Sequence, residues 1–475
     1  MIELENVSFV PAGASCPTLA EATLRIGQGE RVGIVGPSGS GKSTLGYHLC
    51  GAHKLALAGR TDGRLAYAGR DGTDGAPIGF AGLVGQNPEA QLFCRTVYDE
   101  LALALLARGE DETRCRQTAE TLLGRYGFAD RSQASLGSLS LGQKQLTAVL
   151  SMLAMEPRVL LLDEPTSYLD AAAADRLFAH LTELSRENGW IILVIEHDRK
   201  RLAGFADRLI ALDGGRIVHD GPASAGETRD AGVSEAEDWA EALAALPPFS
   251  PPSLDAAPLV ELHGLRFGYT PDAPILDGLD LAVRPGEVVA LLGANGAGKS
   301  TLLRLIKGLG KPAPGRVALR AGLTAAHDVG LMFQNPEEQI FAHTVAAECG
   351  YWLENRGVEP EERLARCRAA LAGFGLGDLL DRAPFSLSFG EKRRLCLAAI
   401  LVAEPAVLCL DEPTTGLDAA NMAAMAAEVR RQAVNGRAVL LATHEEAFAA
   451  MAATRWVTLA NGRVASDRPN PWLAP

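Results

Sequence analysis

Short, unbroken apolar runs recur along this chain. Residues 32–35, 159–162 and 191–195 form such runs in the first half, and 288–292, 406–410 and 438–442 form them in the second. Runs of this length without polar alternation predict strands covered on both faces, as in a parallel sheet packed between helices. Longer stretches rich in Ala and Leu separate them, and 44–50 and 143–155 predict helices. The alternation of the two patterns predicts an α/β fold.

The chain also repeats itself at a spacing of about 250 residues, the mark of a duplicated domain rather than a short-period solenoid. The two copies carry the same motifs in the same order. Between them, Leu246-Pro-Pro-Phe-Ser-Pro-Pro-Ser-Leu-Asp-Ala-Ala-Pro258 holds two proline pairs, which disfavour helix and predict a semi-extended spacer. The expected organisation is a first domain over 1–245, a linker over 246–258 and a second domain over 259–475. The acidic, Ala-rich stretch 227–246 reads equally as a short helix or a solvated loop.

Two glycine-rich segments carry the first chemistry. Gly36-Pro37-Ser38-Gly39-Ser40-Gly41-Lys42-Ser43-Thr44 and Gly293-Ala294-Asn295-Gly296-Ala297-Gly298-Lys299-Ser300-Thr301 both match G-x-x-x-x-G-K-[ST]. Each follows an apolar strand and precedes a helical run, the setting this motif needs. Glycines let successive N–H groups face phosphate oxygens, and the helix N-terminus adds a favourable dipole. Lys42 and Lys299 are expected to neutralise the outer phosphates, and Ser43 and Ser300 to ligate Mg²⁺. Farther along, the apolar runs ending in Asp163-Glu164 and Asp411-Glu412 each place two acids at a strand end. The first acid suits the Mg²⁺ shell and the second suits activation of a water molecule. ATP and Mg²⁺ are the expected cofactors.

Bulk properties narrow the function. The 475 residues carry a formal net charge of -13, with 47% hydrophobic and 22% charged positions. That balance describes ordinary globular material and argues against a partner gripped through its nucleic-acid backbone. Eight scattered cysteines form no C-x-x-C pair, so zinc and iron–sulfur sites are not indicated and reduced thiols are expected. The start, Met1-Ile-Glu-Leu-Glu5, lacks the basic and apolar regions of a signal peptide. No apolar run approaches the roughly 20 residues that span a bilayer.

Together these residues resemble the ABC ATPase family over nearly the whole chain. The resemblance implies two tandem P-loop NTPase (ABC ATPase) domains, each with a RecA-like core and a helical subdomain carrying a signature helix. The family's Leu-Ser-Gly-Gly-Gln signature is matched by Leu139-Ser-Leu-Gly-Gln143 and Leu387-Ser-Phe-Gly-Glu391. Both depart at the third position, with Leu141 and Phe389, and the second also has Glu391 in place of glutamine. Ser140, Gly142, Ser388 and Gly390 are kept, and the resemblance implies that they meet the γ-phosphate bound by the opposite domain. Gln86 and Gln334 resemble the Q-loop glutamine, implied to sense the γ-phosphate, join the Mg²⁺ shell and face a membrane partner. Ser167-Tyr-Leu-Asp170 and Thr415-Gly-Leu-Asp418 resemble the D-loop. His197 and His444 resemble the switch histidine and, with Glu164 and Glu412, complete the implied catalytic set. Tyr269 stands where the family stacks an aromatic on adenine, whereas the first copy has Pro11 there with Phe9 two residues earlier. The resemblance implies pairing of the two domains within one chain.

The text around the Q-loops, Gln86-Asn-Pro-Glu-Ala-Gln-Leu-Phe93 and Gln334-Asn-Pro-Glu-Glu-Gln-Ile-Phe341, is similar to that of ATPases in energy-coupling-factor transporters. Those import vitamins or transition-metal ions such as cobalt or nickel. The implied partners are a transmembrane coupling protein and a small membrane substrate-binding protein. The implied location is the cytoplasmic face of the cell membrane, without nucleic acid. Glu89 and Glu337 are expected to meet basic residues of the coupling helices. The alternatives are a fused sugar-importer ATPase and a soluble tandem ABC protein acting on ribosomes or DNA. The short proline-rich linker and the absence of zinc-spaced cysteines speak against the soluble type.

Overall fold

A computed structural model describes residues 1–223, 246 and 256–472, apart from positions 13, 15, 38, 78, 170, 197, 198, 271, 272, 295, 313, 314, 416 and 418. The chain divides into two compact units, Met1–Ser234 and Glu235–Pro475. The helix-or-loop stretch 227–246 and the linker 246–258 lie outside the described residues, except for Leu246 and residues 256–258. Leu246 is buried in the core of the second unit.

Each unit is built on the same six-stranded sheet. In the first, the order across the sheet is Arg216–Pro222, Arg208–Asp213, Arg31–Val35, Ile191–Ile195, Val159–Asp163 and Ala81–Val84. The edge pair Arg216–Pro222 and Arg208–Asp213 is antiparallel and all the other neighbours are parallel. The second unit repeats this with Arg463–Pro469, Arg455–Ala460, Val288–Leu292, Ala438–Ala442, Val407–Asp411 and Val329–Met332. Register repeats too, with Asp163 opposite Ile195 and Asp411 opposite Ala442. Every residue of Val159–Asp163, Ile191–Ile195, Val407–Asp411 and Ala438–Ala442 is buried, which explains their unbroken apolar text. The α/β expectation holds in both units.

A second, antiparallel sheet covers the helix that follows each glycine-rich segment. In the first unit Ile2–Pro11 lies between Leu19–Ile26 and Gly59–Tyr67, and in the second Val260–Phe267 lies between Leu276–Val283 and Arg316–Leu319. Burial alternates along Ile2–Pro11 because one face packs on the core shared with Leu45 and Leu49 of the helix Lys42–Cys50.

Three helices form a subdomain in each unit: Val97–Ala107, Glu112–Arg125 and Leu141–Ala154 in the first, and Val345–Asn355, Pro360–Gly373 and Phe389–Leu401 in the second. Side-chain caps start all of them except Pro360–Gly373, which opens on its proline. Thr96 Oγ1 accepts from Asp99 N, and Thr344 Oγ1 accepts from Ala347 N, both at 3.1 Å. The helix expected over 143–155 begins two residues earlier. Ser140 and Gln143 form a reciprocal capping box there, so Leu141 and Gly142 already belong to the first turn.

Candidate functional site

The carboxyl ends of Arg31–Val35, Ile191–Ile195 and Val159–Asp163 lie side by side in one parallel sheet, the place where open α/β sheets bind ligands. The glycine-rich segment leaves the first of these ends. Gly36, Gly39 and Gly41 have φ of 150°, 81° and 96°. A Cβ on Gly41 would lie 2.2 Å from the Thr18 carbonyl oxygen, so a side chain is excluded there by both conformation and space. The helix Lys42–Cys50 follows at once, leaving its first N–H groups directed at the loop. Lys42 Nζ donates to Gly36 O at 2.8 Å and Pro37 O at 2.9 Å, so the ammonium lies across the loop. Lys299 Nζ repeats this with Gly293 O at 2.8 Å and Ala294 O at 3.3 Å. Ser38 and Asn295 lie outside the described residues.

The donor set suits Mg²⁺. Ser300 Oγ donates to Asp411 Oδ1 at 2.9 Å, and burial pushes the Asp411 carboxyl up to about 6. A hydroxyl and a carboxylate side by side are hard oxygen ligands, and a divalent cation held there would favour the ionised acid. Ser43 and Asp163 hold the same places in the first unit, where Asp163 is also buried. Gln86 Nε2 donates to Glu164 Oε2 at 2.8 Å, which leaves its amide oxygen as the atom for a metal. Gln334 is held through its backbone carbonyl.

The two second acids share an unusual backbone. Glu164 and Glu412 have φ of 52° and 46°, left-handed values that cost an ordinary residue about 1–2 kcal/mol. Each is pinned by a bond across the strand ends, Glu164 N to Ile195 O and Glu412 N to Ala442 O, both 2.9 Å. The turn puts each buried carboxylate beside the Asp that precedes it. His444 Nδ1 lies 2.9 Å from Glu412 Oε2, and this bond raises the His444 pKa above its ordinary value. His197, Asp170 and Asp418 lie outside the described residues.

Both signature serines cap their helices. Ser140 Oγ accepts from Gln143 N, and Ser388 Oγ accepts from Glu391 N, at 3.3 Å each. Glu391 departs from glutamine yet does the same work at the helix start, with its Oε2 accepting from Ser388 N and Oγ at 2.8 Å. Tyr269 is 64% exposed, packs edge-on against Phe267 and lies with its hydroxyl 3.5 Å from Thr301 Oγ1. Phe9, by contrast, is buried with its ring edge-on to His48. It offers no exposed face equivalent to Tyr269.

Sequence reasoning placed Ser167 in the D-loop without its contact to Glu164, and it overlooked Glu196. Ser167 Oγ donates to Glu164 Oε2 at 3.1 Å, and Thr166 donates from N and Oγ1 to the buried Glu196. Ser167 is visible in the text as a hydroxyl three residues past Glu164, and Glu196 as an acid closing the apolar run 191–195. The Q-loop acids also have partners within the chain. Glu89 pairs with Lys144, and Glu337 pairs with Lys392 at 2.5 Å. Each carboxylate therefore ties its loop to the signature helix of its own unit.

The family model described as ABC transporter matches residues 19–167 and 276–415, covering both phosphate loops and both acid pairs. The chain belongs to the ABC transporter family. A Streptomyces coelicolor protein named as an ABC transporter ATP-binding protein is 36% identical over 536 residues, spanning 99% of this chain and 94% of its own length. The structure titled RNase-L Inhibitor is 21% identical, with a TM-score of 0.60, and covers 98% of this chain and 91% of itself, a likeness of tandem fold. Clostridium perfringens cbiO1, titled part of the ABC transporter complex cbiONQ, is 31% identical, with a TM-score of 0.41, and covers 45% of this chain and 89% of itself. As an ABC ATPase with two cassettes, the chain binds ATP with Mg²⁺ and hydrolyses it.

Proposed function

We propose that this tandem ABC ATPase drives an importer of the energy-coupling-factor type, carrying a vitamin or a transition-metal ion such as cobalt or nickel. One observation carries the reading: the two Q-loops are braced alike, and both hold a phenylalanine out to solvent. Asn87 and Asn335 each accept from the backbone N–H two residues on, at 3.0 Å. Gln91 accepts from Gly85 N at 3.0 Å, and Gln339 accepts from Phe333 N at 3.3 Å. The buried Glu100 takes the N–H groups of Phe93 and Cys94, and Glu348 those of Phe341 and Ala342. So fixed, Phe93 is 78% and Phe341 57% exposed, and Phe341 lies edge-on to the exposed Tyr351. A pair of rigid, exposed aromatics suits docking on apolar helices of a coupling protein. No helix among the described residues is long and apolar enough to cross a membrane. A polytopic partner and a small membrane substrate-binding protein would supply the passage, with the cassettes at the cytoplasmic face.

In this reading the cassettes pair within the chain. Lys42, Asp163, Glu164 and His197 work with Ser388 and Gly390, and Lys299, Asp411, Glu412 and His444 with Ser140 and Gly142. Glu164 and Glu412 accept the proton of the attacking water while the lysines and the loop amides hold the phosphates. Contacts to the γ-phosphate made only in the closed form let ATP favour closure, and hydrolysis releases it. The test is affinity purification of the tagged chain from its native membranes, beside Phe93→Ser and Phe341→Ser variants. A polytopic protein with a small membrane binder, lost in the variants while ATPase activity stays, supports the reading. Periplasmic-binding-protein partners would point to a sugar-type importer. Ribosomal or DNA-repair partners without membrane protein would overturn the transporter role.

A further inference from the structure

The cassettes differ where the signature helix meets the loops around the nucleotide. In the second, Arg393 sits in the helix Phe389–Leu401 and is 1% exposed. One guanidinium nitrogen donates to the Thr415 carbonyl, and the other terminal nitrogen donates to the Gln334 carbonyl at 3.1 Å. The guanidinium carbon lies 5.0 Å from the centre of the Phe389 ring, one turn earlier on the same helix. A single planar fork thus joins the signature helix, the Q-loop and the D-loop. Lysine carries all its donors on one nitrogen, whereas the planar fork offers a separate terminal nitrogen to each carbonyl. The charge also reaches Glu445, next to His444. Burial raises the Glu445 carboxyl, and the charges of His444 and Arg393 are among the influences that oppose this.

The first cassette has Gln145 at the matching position, at the same offset that relates Gln86 to Gln334. It is completely buried, and neither its amide oxygen nor its nitrogen has a partner among the described residues. Leu141 replaces Phe389, so both members of the aromatic–guanidinium pair are missing together. The first D-loop packs directly on its signature helix. A Cβ on Gly142 would lie 2.3 Å from Tyr168 O, so helix and loop touch backbone to backbone in the first cassette.

We infer that Arg393, seated on Phe389, is a positioning residue that makes the Q-loop, D-loop and signature helix of the second cassette move together, a tie the first cassette lacks. The departure at the third signature position then has a purpose in the second copy, as the platform for this guanidinium. The inference rests on the placement of Gln334 and Glu412 in one ATP site.

Hydrogen–deuterium exchange on the full chain without nucleotide tests the tie itself, whichever residues catalyse. Arg393→Gln, with Arg393→Lys as a variant that keeps charge and stem, should speed exchange around both Gln334 and Thr415 by about tenfold, leaving Gln86 and Ser167 unchanged. Unchanged exchange at Gln334 and Thr415 in both variants, or equal acceleration in both cassettes, overturns it. Turnover gives the readout that a merely structural role would not move. In a Glu164→Gln background, Arg393→Gln should lower kcat about tenfold with KM for ATP nearly constant, and Arg393→Lys should not rescue it. In a Glu412→Gln background the same change should alter kcat less than about twofold. Equal losses in both backgrounds, tracking a fall in Tm, would make Arg393 a packing residue. If neither background variant lowers turnover, the site assignment fails, and the exchange result still decides the tie.

Discussion

His444 holds Glu412 through an Nδ1–Oε2 contact of 2.9 Å, while the matching carboxylate, Glu164, is held by Gln86 and Ser167. Among the described residues the two acids are seen with different partners, and each directly follows the Asp of the metal pair in the chain. If these acids take the proton of the attacking water, amides of the same shape keep the hydrogen-bond geometry and lose the base. Glu164→Gln combined with Glu412→Gln should lower ATP turnover at least about 100-fold while nucleotide stays bound. Phosphate release and retention of labelled ATP measure this. Wild-type turnover in the double variant would remove both residues from catalysis.

The left-handed backbone at Glu164 and Glu412 makes a separate prediction about stability. A Cβ costs about 1–2 kcal/mol in that conformation and glycine escapes the cost. Glu164→Gly should therefore be more stable than Glu164→Ala by about 1 kcal/mol, against the usual order, in which glycine is the worse residue. The same order should hold at position 412. Urea unfolding of the four variants tests it, and alanine variants as stable as their glycine partners would show that the strain is absorbed elsewhere.

Adenine recognition should be unequal. Tyr269 presents an exposed ring, whereas Phe9 is spent in the core against His48. Tyr269→Ala should weaken nucleotide binding at the Lys299 site by about three- to tenfold, the worth of one aromatic stack. Phe9→Ala should instead cost about 3–5 kcal/mol of stability in the first unit. Nucleotide titrations in Lys42→Ala and Lys299→Ala backgrounds separate the sites. Equal affinities before and after Tyr269→Ala would end the asymmetry argument.

The strands and phosphate loops are legible in the sequence because burial on both faces writes itself as unbroken runs such as 159–162 and 438–442. The loops are equally legible because close approach admits only glycine at places such as Gly41. The acid pairs can be read from their position at the end of such runs. Partners across sequence-distant loops leave no comparable mark. Lys144 and Lys392 read as ordinary surface charges one residue past the signature, yet they capture Glu89 and Glu337. Arg393 reads as one of three consecutive basic residues, and only the fold places its guanidinium between two carbonyls. The backbone strain at Glu164 has no sequence signal either, because glutamate is not a residue that the left-handed region favours.

The last prediction concerns acid. His48 is completely buried on the helix that follows the first phosphate loop. Its Nδ1 lies 2.7 Å from the Thr44 carbonyl, which can only accept, so this nitrogen carries the proton. Nε2 is then the acceptor for the Thr61 hydroxyl at 3.1 Å, and the neutral ring is fully satisfied. Burial lowers its pKa from 6.5 to about 4, and the stacked ring of His53 is lowered by burial as well. The folded chain thus binds the proton less readily than the unfolded chain. The contribution of neutral His48 is fully present above pH 6.5 and is lost as pH falls from 6.5 toward 4, up to about 3 kcal/mol in all. Leu305 occupies the matching place in the second unit, so His48→Leu is a substitution the fold accommodates elsewhere. Urea midpoints at pH 7.5 and pH 5 should show a shallower acid loss in His48→Leu than in wild type, by up to about 2 kcal/mol. Equal slopes would mean that water or a shifted side chain stabilises the protonated ring, and the acid sensitivity of the first cassette would have to come from another group.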